Sequence, residues 1–448
     1  MANDSWGERA RRIEQRLQEL AGITDESGML TRTFLSPAMR EANARVREWM
    51  REGGLQTEED YAGNLVGRQC SNVESAPAAA GSNTSRQLQD RRSAILLIGS
   101  HLDTVRNAGR YDGPLGVVLG IEVADWARSA GRQFPFELAV VGFSDEEGVR
   151  FKTGFLGSSA FCGLLSRDDL KAVDANGVAL ASLLSDRVAE SSQLHRATFP
   201  LDRLIGYFEV HLEQGPVLEH QNRALGAVTA IAGQARLRCT WMGKATHAGT
   251  TPIDLRRDAL VGAAAFVQEV DRIAREWPGL MATVGELHVE PNVSNVVPAS
   301  VTHSLDVRHQ DNGNRAAAAN KLKERAAVIA AERCLGLEWK TLQDTNSIPC
   351  DLRLNIPLRA AIQKVTGESI DLPSGAGHDG VTLSRVCPVA MMFVRCRDGL
   401  SHHPDEFVDS ADVTVALHAT AEFLDGLSID PLTLNDRSPY SQRFAGHA

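Results

Sequence analysis

Three consecutive acids, Asp145, Glu146 and Glu147, close the apolar run "VVGFS", and Gly148 behind them lets the chain turn sharply. Adjacent carboxylates repel one another, and at the end of a buried strand they are costly to desolvate unless a cation compensates them. A lone "DEEG" is more simply a solvated turn. Here the sequence supplies partners: His101 in "GSHLDTV", Asp112 in "YDGPLGV", His211 in "FEVHLEQGP", and His402 with His403 in "DGLSHHPDEF". Taken singly, His101 reads as a hydrogen-bonded structural histidine and Asp112 as a helix N-cap. Taken together, imidazoles and carboxylates without a cysteine form the donor set of Zn, Mn or Co, not of iron–sulfur or copper(I) chemistry.

Such a set works only if the chain brings distant segments to one place. "AILLIGS" (94–100) and "FELAVVGFS" (136–144) are continuous apolar runs of the kind buried on both faces, and "VVLGIEVADWARSAG" (117–131) between them has helical spacing closed by Gly131. Strand, helix, strand opens a doubly wound α/β domain, whose sites form beyond the carboxyl ends of its strands. Residues 4–53 read as helices ending at "EGG", "NLVGRQC" (64–70) as a strand, and 71–93, rich in Ser, Ala, Asn and Gln without periodicity, as a long surface loop.

From about residue 216 the texture changes. "LGAVTAIAGQARLRCTWMG" alternates like a hairpin, "RRDALVGAAAFVQEVDRIARE" is helical, "MATVGELHVE" and "ASVTHSLDVRH" read as strands, and a second helix, "NRAAAANKLKERAAVIAAERC", precedes "LEWKTLQD". This order, ββαββαβ, describes an inserted α+β domain. The expected division is 1–215 and 347–448 for a discontinuous catalytic domain, with 216–346 inserted.

Composition narrows the function. Acids outnumber bases 57 to 47, for a formal charge of −10, and no block of five or more like charges occurs, which argues against nucleic-acid or anionic-membrane partners. The start, "MANDSWGERARRIEQRLQEL", is polar and helical without a signal-peptide core, and no apolar run of about 18 residues appears, so a cytoplasmic protein is expected. Seven scattered cysteines, never in a CxxC pair, read as reduced thiols. The sequons at Asn83 and Asn292 carry no weight in such a chain.

Seven ordered segments, "GSHLDTVRNAGRYDGPLGV", "DEEGVRF", "HLEQGP", "GKATHAGTTPIDLRRDA", "SNVVPA", "SGAGHDG" and "GLSHHPDE", resemble the allantoate amidohydrolase and N-carbamoyl-L-amino acid hydrolase family, a hydantoinase/carbamoylase branch of the aminoacylase and carboxypeptidase-type di-metal clan. The resemblance runs from about residue 60 to 409. It implies a di-metal aminopeptidase-like α/β catalytic domain with an inserted ferredoxin-like lid and dimerisation domain, working as a homodimer. It also implies two divalent metal ions per subunit, Zn or Mn with Co admissible. His101 and His211 would hold one, Glu147 and His402 the other, and Asp112 would bridge them. Glu146 would be the general base, and Asp145 would support the turn. Two cations sharing a water would lower its pKa from about 15.7 towards about 7.

From the inserted domain, the resemblance assigns His247 to the developing oxyanion across a dimer interface. It assigns Gln214, Asn295, Arg308 and Gly377 to the substrate's carboxylate and ureido groups. Read alone, Arg308 in "LDVRH" is an exposed cross-strand residue. His288, His303, His309 and His403 are read outside the site. Ala108 departs from the family's "NGG", and Gly380 stands where Ala follows "GHD"; neither is a ligand.

The activity this implies is hydrolysis of the carbamoyl C–N bond of a small ureido acid, with allantoate first. N-carbamoyl-L-amino acids, N-carbamoyl-β-alanine and ureidoglycolate are the alternatives within the family. A dipeptidase of the same clan would carry Glu or Asp in place of His211. A catalytically dead binding homologue would have lost a ligand or Glu146.

Overall fold

The structure, a computed structural model, describes residues 5–69 and 94–427. Cys70 and the segment 71–93, read above as a surface loop, lie outside the described residues. Those up to Thr229, Cys350–Leu372 and those from Gly377 onward form one compact unit, and Ala230–Pro349 with Pro373–Ala376 form a second.

The larger unit is organised by β1 (Leu55–Glu59), β2 (Leu65–Gln69), β3 (Ile95–His101), β4 (Glu137–Phe143), β5 (Leu204–Leu212), β6 (Leu225–Ile231), β15 (Asp371–Ser374) and β16 (Val389–Val394). The sheet runs β1-β2-β4-β3-β5-β16-β6, with β15 beside β6. β4, β3, β5 and β16 are parallel neighbours, and every residue of these four strands is buried. That is why their sequences are continuous apolar runs without alternation. Helices Trp6–Ala21, Pro114–Ser129, Leu352–Thr366 and Ser410–Gly426 contribute Ile13, Leu115, Leu354 and Val413 to the same core as Leu96, Val140, Phe208 and Met392. Ser5 and Glu8 close a reciprocal capping box on the first helix, and Ser36 caps Pro37–Glu52, which stops at Gly53.

One strand pairing departs from expectation. Leu225–Ala227 of β6 pair antiparallel with Val394–Met392 of β16 instead of forming a hairpin with the next strand, so the boundary falls after Thr229 and not at 215. Alternation fixes which face of a strand is buried; it does not fix the partner.

The smaller unit holds β7 (Gly233–Met242), β8 (Thr246–His247), β9 (Met281–Thr283), β10 (Leu287–Glu290), β11 (Val296–Val297), β12 (Ser300–His309), β13 (Gly336–Thr345) and β14 (Ile348–Pro349). Its main sheet runs β10-β12-β7-β13 with β9 also on β12, all antiparallel. Helices Ala259–Glu276 and Asn312–Glu332 supply Phe266 and Leu322 to a core with Trp241 and Leu305. The order across that sheet is therefore βαβββαβ: five strands, as expected, but one before the first helix and three between the helices. "MATVGELHVE" splits in two because Ser304 Oγ takes the backbone N–H groups of Gly285 and Glu286 at 3.2 and 2.9 Å, interrupting the ladder. His303 is buried and accepts Trp241 Nε1–H at 3.0 Å, a core histidine as expected. No helix of the described residues is long and apolar enough to cross a membrane.

Candidate active site

The parallel register carries the expected ligands to one end of the large sheet. His101 is the last residue of β3 and lies level with Phe143, just before the acid triplet. His211 lies near the end of β5, level with Phe393, and β16 then leads to His402. Asp112 sits two residues before the helix Pro114–Ser129. Between them Gly113 has φ 82°, and a Cβ there would fall 2.4 Å from the His101 ring, so both backbone and contact require glycine.

Around Asp112 the donors converge. His211 Nε2 lies 3.1 Å from Oδ1 and His101 Nε2 3.8 Å from it, while His402 Nε2 lies 3.2 Å from Oδ2 and 3.4 Å from Glu147 Oε1. The ligand atoms of His101, Asp112 and His211 fall within 4.8 Å of one another, as do those of Asp112, Glu147 and His402, and those of His101, Glu146 and Glu147. His211 Nε2 is buried without a hydrogen-bond partner although Asp112 is beside it. Two buried lone-pair donors facing one another in this way suit a cation between them. The other imidazole nitrogens are anchored: His101 Nδ1 lies 3.0 Å from Asp103 O and His211 Nδ1 3.0 Å from Leu212 O. Those contacts leave Nε2 of each ring as the free donor.

The electrostatics agree. Burial pushes Glu147 up to about 7, with Asp112 and Asp103 adding to the rise while His101 and His402 oppose it. Burial likewise holds Glu146 well above the usual carboxylate range, with Glu147 and Asp379 acting in the same sense and His101 opposing. For Asp112, burial alone would raise the carboxyl, but His211 and His402 outweigh it and hold it well below the usual range. Contact with Asp112 lifts His402 to about 9. Acids that burial alone would neutralise, gathered round neutral-capable imidazoles, are what a divalent cation compensates. His402 and Gln214 both have left-handed backbone, φ 57° and 56°, unusual for residues with a Cβ and a mark of positions held against their preference at functional sites.

The acid triplet is bent, not extended. Asp103 Oδ1 and Oδ2 accept the backbone N–H groups of Glu146 and Glu147 at 3.0 and 3.2 Å, which curls the turn so that both glutamates face His101. Asp103 was legible only as part of "SHLDTV", where a carboxylate two residues past a histidine marks the turn without revealing what it accepts. Ser401 and Glu406, inside "SHHPDEF", were also missed: Ser401 Oγ donates to Asp112 Oδ2 at 2.7 Å, and Glu406 Oε1 accepts from the backbone of Tyr111 and Asp112. The ligand atoms of His378 and Glu209 also lie within 4.8 Å of that of His211, and both residues are buried. Asp145 is fully buried in the turn.

The remaining expected residues divide between the units. Gln214 Nε2 lies 3.1 Å from both Asp112 Oδ2 and Ser401 Oγ, and its Oε1 is buried without a partner. Gly377 adjoins Glu146: a Cβ there would fall 2.9 Å from Phe155 Cζ and 3.9 Å from Glu146 Oε1. Gly377→Ala is accordingly expected to displace Phe155 and misplace Glu146, lowering kcat by about 10-fold or more while cation content stays unchanged. Steady-state kinetics beside metal analysis check it. In the smaller unit His247 pairs with Val296, and Asn295 O accepts the Ala248 N–H at 2.9 Å. Gly249 N donates to His247 Nδ1 at 3.0 Å, which assigns the proton of the neutral ring to Nε2. Arg308 is held by Asp306 through Nε and Nη2 and by Gly375 O through Nη1. His403 is exposed, accepts from Asp405 N and lies 3.7 Å from Asp405 Oδ2, away from the donor groups. Six cysteines are free, and none joins a donor group among the described residues; Cys70 lies outside them.

A mixed α/β unit with histidines and acids converging at the ends of parallel strands defines a metallohydrolase of the kind the sequence suggested. Residues 97–426 match the peptidase family M20/M25/M40, and the chain belongs to that family. Within it, the chain is 36% identical to an allantoate deiminase of Arabidopsis thaliana, over 92% of this chain and 81% of that one. It is 37% identical to an N-carbamoyl-L-amino acid amidohydrolase of Geobacillus stearothermophilus, over 90% and 95%. A solved amidase of the hydantoinase/carbamoylase family from Burkholderia multivorans superposes with a TM-score of 0.82 at 30% identity, covering 93% of this chain and 97% of that one.

Proposed function

We propose that this protein hydrolyses the terminal carbamoyl group of a ureido acid, allantoate before others, releasing ammonia and carbon dioxide. The observation that carries the reading is the convergence of buried His101 and His211, half-buried Glu147 and exposed His402 on buried Asp112, with Glu146 beside them. The similarity to allantoate deiminases supports the substrate class. The donor set fits two divalent cations, Zn or Mn, one held by His101 and His211, the other by Glu147 and His402, with Asp112 shared. Bound there, such cations would polarise the substrate carbonyl and let a water lose its proton near neutral pH.

The chain's own groups do the rest. Glu146 takes the proton from the attacking water and returns it to the departing nitrogen, which leaves as ammonia; the carbamic acid that remains loses carbon dioxide. His247, with its proton on Nε2, donates to the oxygen that gains charge. Arg308 keeps two of its five N–H donors unengaged among the described residues, and Asp306 fixes its plane, which suits a substrate carboxylate. The unpaired Gln214 Oε1 suits a ureido N–H. The family resemblance places His247 opposite the site of a second copy, so the working unit is taken as a homodimer, checked by turnover in a verified monomer.

A second reading, hydrolysis of an N-carbamoyl-L-amino acid, has the similarity to the Geobacillus enzyme in its favour. Ammonia release from allantoate, an N-carbamoyl-L-amino acid, N-carbamoyl-β-alanine and ureidoglycolate, offered in parallel to Mn- and Zn-loaded protein, decides between them. Allantoate is expected to give the highest kcat/KM. Preference for a carbamoyl amino acid would leave the chemistry and replace the substrate, and silence on all four with cation bound would sink the ureido reading.

A further inference from the structure

Asp112 is the donor that the His101–Asp112–His211 and Asp112–Glu147–His402 groupings have in common, so its position has to satisfy both at once. A carboxylate rotates about χ2 and its loop can shift, so something must hold both the backbone and the oxygens. The sequence from Asn107 to Gly113 offers little of its own. It is a turn-rich segment with left-handed backbone at Asn107 and Gly113, and its carboxylate reaches the site only at Asp112, two residues before the helix.

The hold comes from a segment far along the chain. Glu406 Oε1 accepts two successive backbone N–H groups, Tyr111 at 2.8 Å and Asp112 at 3.0 Å. Its other oxygen lies 3.1 Å from Ser401 Oγ, which in turn donates to Asp112 Oδ2 at 2.7 Å. Glu406 therefore grips the backbone of Asp112, while Ser401 sets its carboxylate rotation and leaves Oδ1 to His211 and His101. All three are on one short circuit, and Glu406 itself is buried, at 4% exposure. The circuit has no slack, because Gly109 lies against Glu406: a Cβ at Gly109 would fall 2.3 Å from Glu406 Cβ. His402, on the same segment as Ser401 and Glu406, is a donor to the second grouping, so one loop both ligates and positions.

We propose that Glu406, acting with Ser401, is the positioning residue that presents Asp112 to both cation sites, and that Gly109 is kept small to admit it. The proposal rests on the reading of Asp112 as a shared cation ligand. Outer-shell partners of this kind are typically worth about 10–100-fold in metal affinity.

The test is calorimetric titration of chelator-stripped full-length protein with Mn²⁺ and with Zn²⁺, beside the melting temperature of each stripped protein. Glu406→Ala is expected to weaken binding by about 10–100-fold with the stripped protein's melting temperature little changed. Glu406→Gln, whose side-chain carbonyl can still accept both N–H groups, should stay close to the parent, a rescue that a need for bulk alone would not single out. Gly109→Ala, which removes no polar group, should weaken binding in the same direction as Glu406→Ala. If Glu406→Ala does not fold, Ser401→Ala and Gly109→Ala carry the decision. Parent-like affinity in Glu406→Ala and Ser401→Ala, with Asp112→Asn binding poorly, would overturn the proposal and leave the site reading standing. Parent-like affinity in Asp112→Asn as well would overturn both.

Discussion

Replacing Glu146 by glutamine is expected to leave bound cation nearly unchanged and to cut kcat by about 10²–10⁴-fold, the usual contribution of a positioned proton-transfer group. The amide has the same shape, so the turn held by Asp103 through the backbone N–H groups of Glu146 and Glu147 keeps its geometry. What is lost is the basic oxygen beside Gly377 and Phe155. KM should move little, because on this account Glu146 handles the water's proton and does not grip the substrate. Metal analysis and kinetics on the same preparation check the two halves together. Loss of cation along with activity would make Glu146 a ligand, and unchanged kcat would remove it from the chemistry.

Asp112→Ala should fail differently. Its carboxylate faces His211, His402, Gln214 and Ser401 at 2.7–3.2 Å, so truncation removes the one donor common to both groupings and leaves the imidazoles without their counter-charge. Cation affinity is expected to fall by more than about 100-fold, beyond what outer-shell changes cost. The loss has a reading independent of turnover. Cation at 100 times its Kd stabilises a protein by about 2.7 kcal/mol, and the same concentration after a 100-fold loss gives only about 0.4. The parent should therefore melt at a clearly higher temperature with Mn²⁺ or Zn²⁺ than without, and Asp112→Ala should show almost no difference. An undiminished shift in the variant would remove Asp112 from the ligand set.

Much of this site was legible because the chemistry-bearing residues end strands whose burial is written as unbroken apolar runs. His101 and the acid triplet each follow such a run, and parallel strands put their ends together. The pairing of β6 was not legible, since Leu225–Ile231 reads as an apolar strand without naming its partner, and that partner lies far downstream. Nor were Asp103, Ser401 and Glu406. In sequence, a loop carboxylate or hydroxyl reads as solvated, and only the fold shows the backbone N–H groups that Asp103 and Glu406 accept. The bend at Glu146–Glu147 was hidden for the same reason, being imposed by Asp103 and not by the residues that bend.

The most direct test of the central claim is ammonia release from allantoate by one preparation before chelation, after it, and after divalent cation is restored. A cation-dependent ureido hydrolase should lose turnover on chelation and regain it with Mn²⁺ or Zn²⁺. Turnover that persists in fully stripped protein, or none in protein shown to have rebound its cations, would contradict the account.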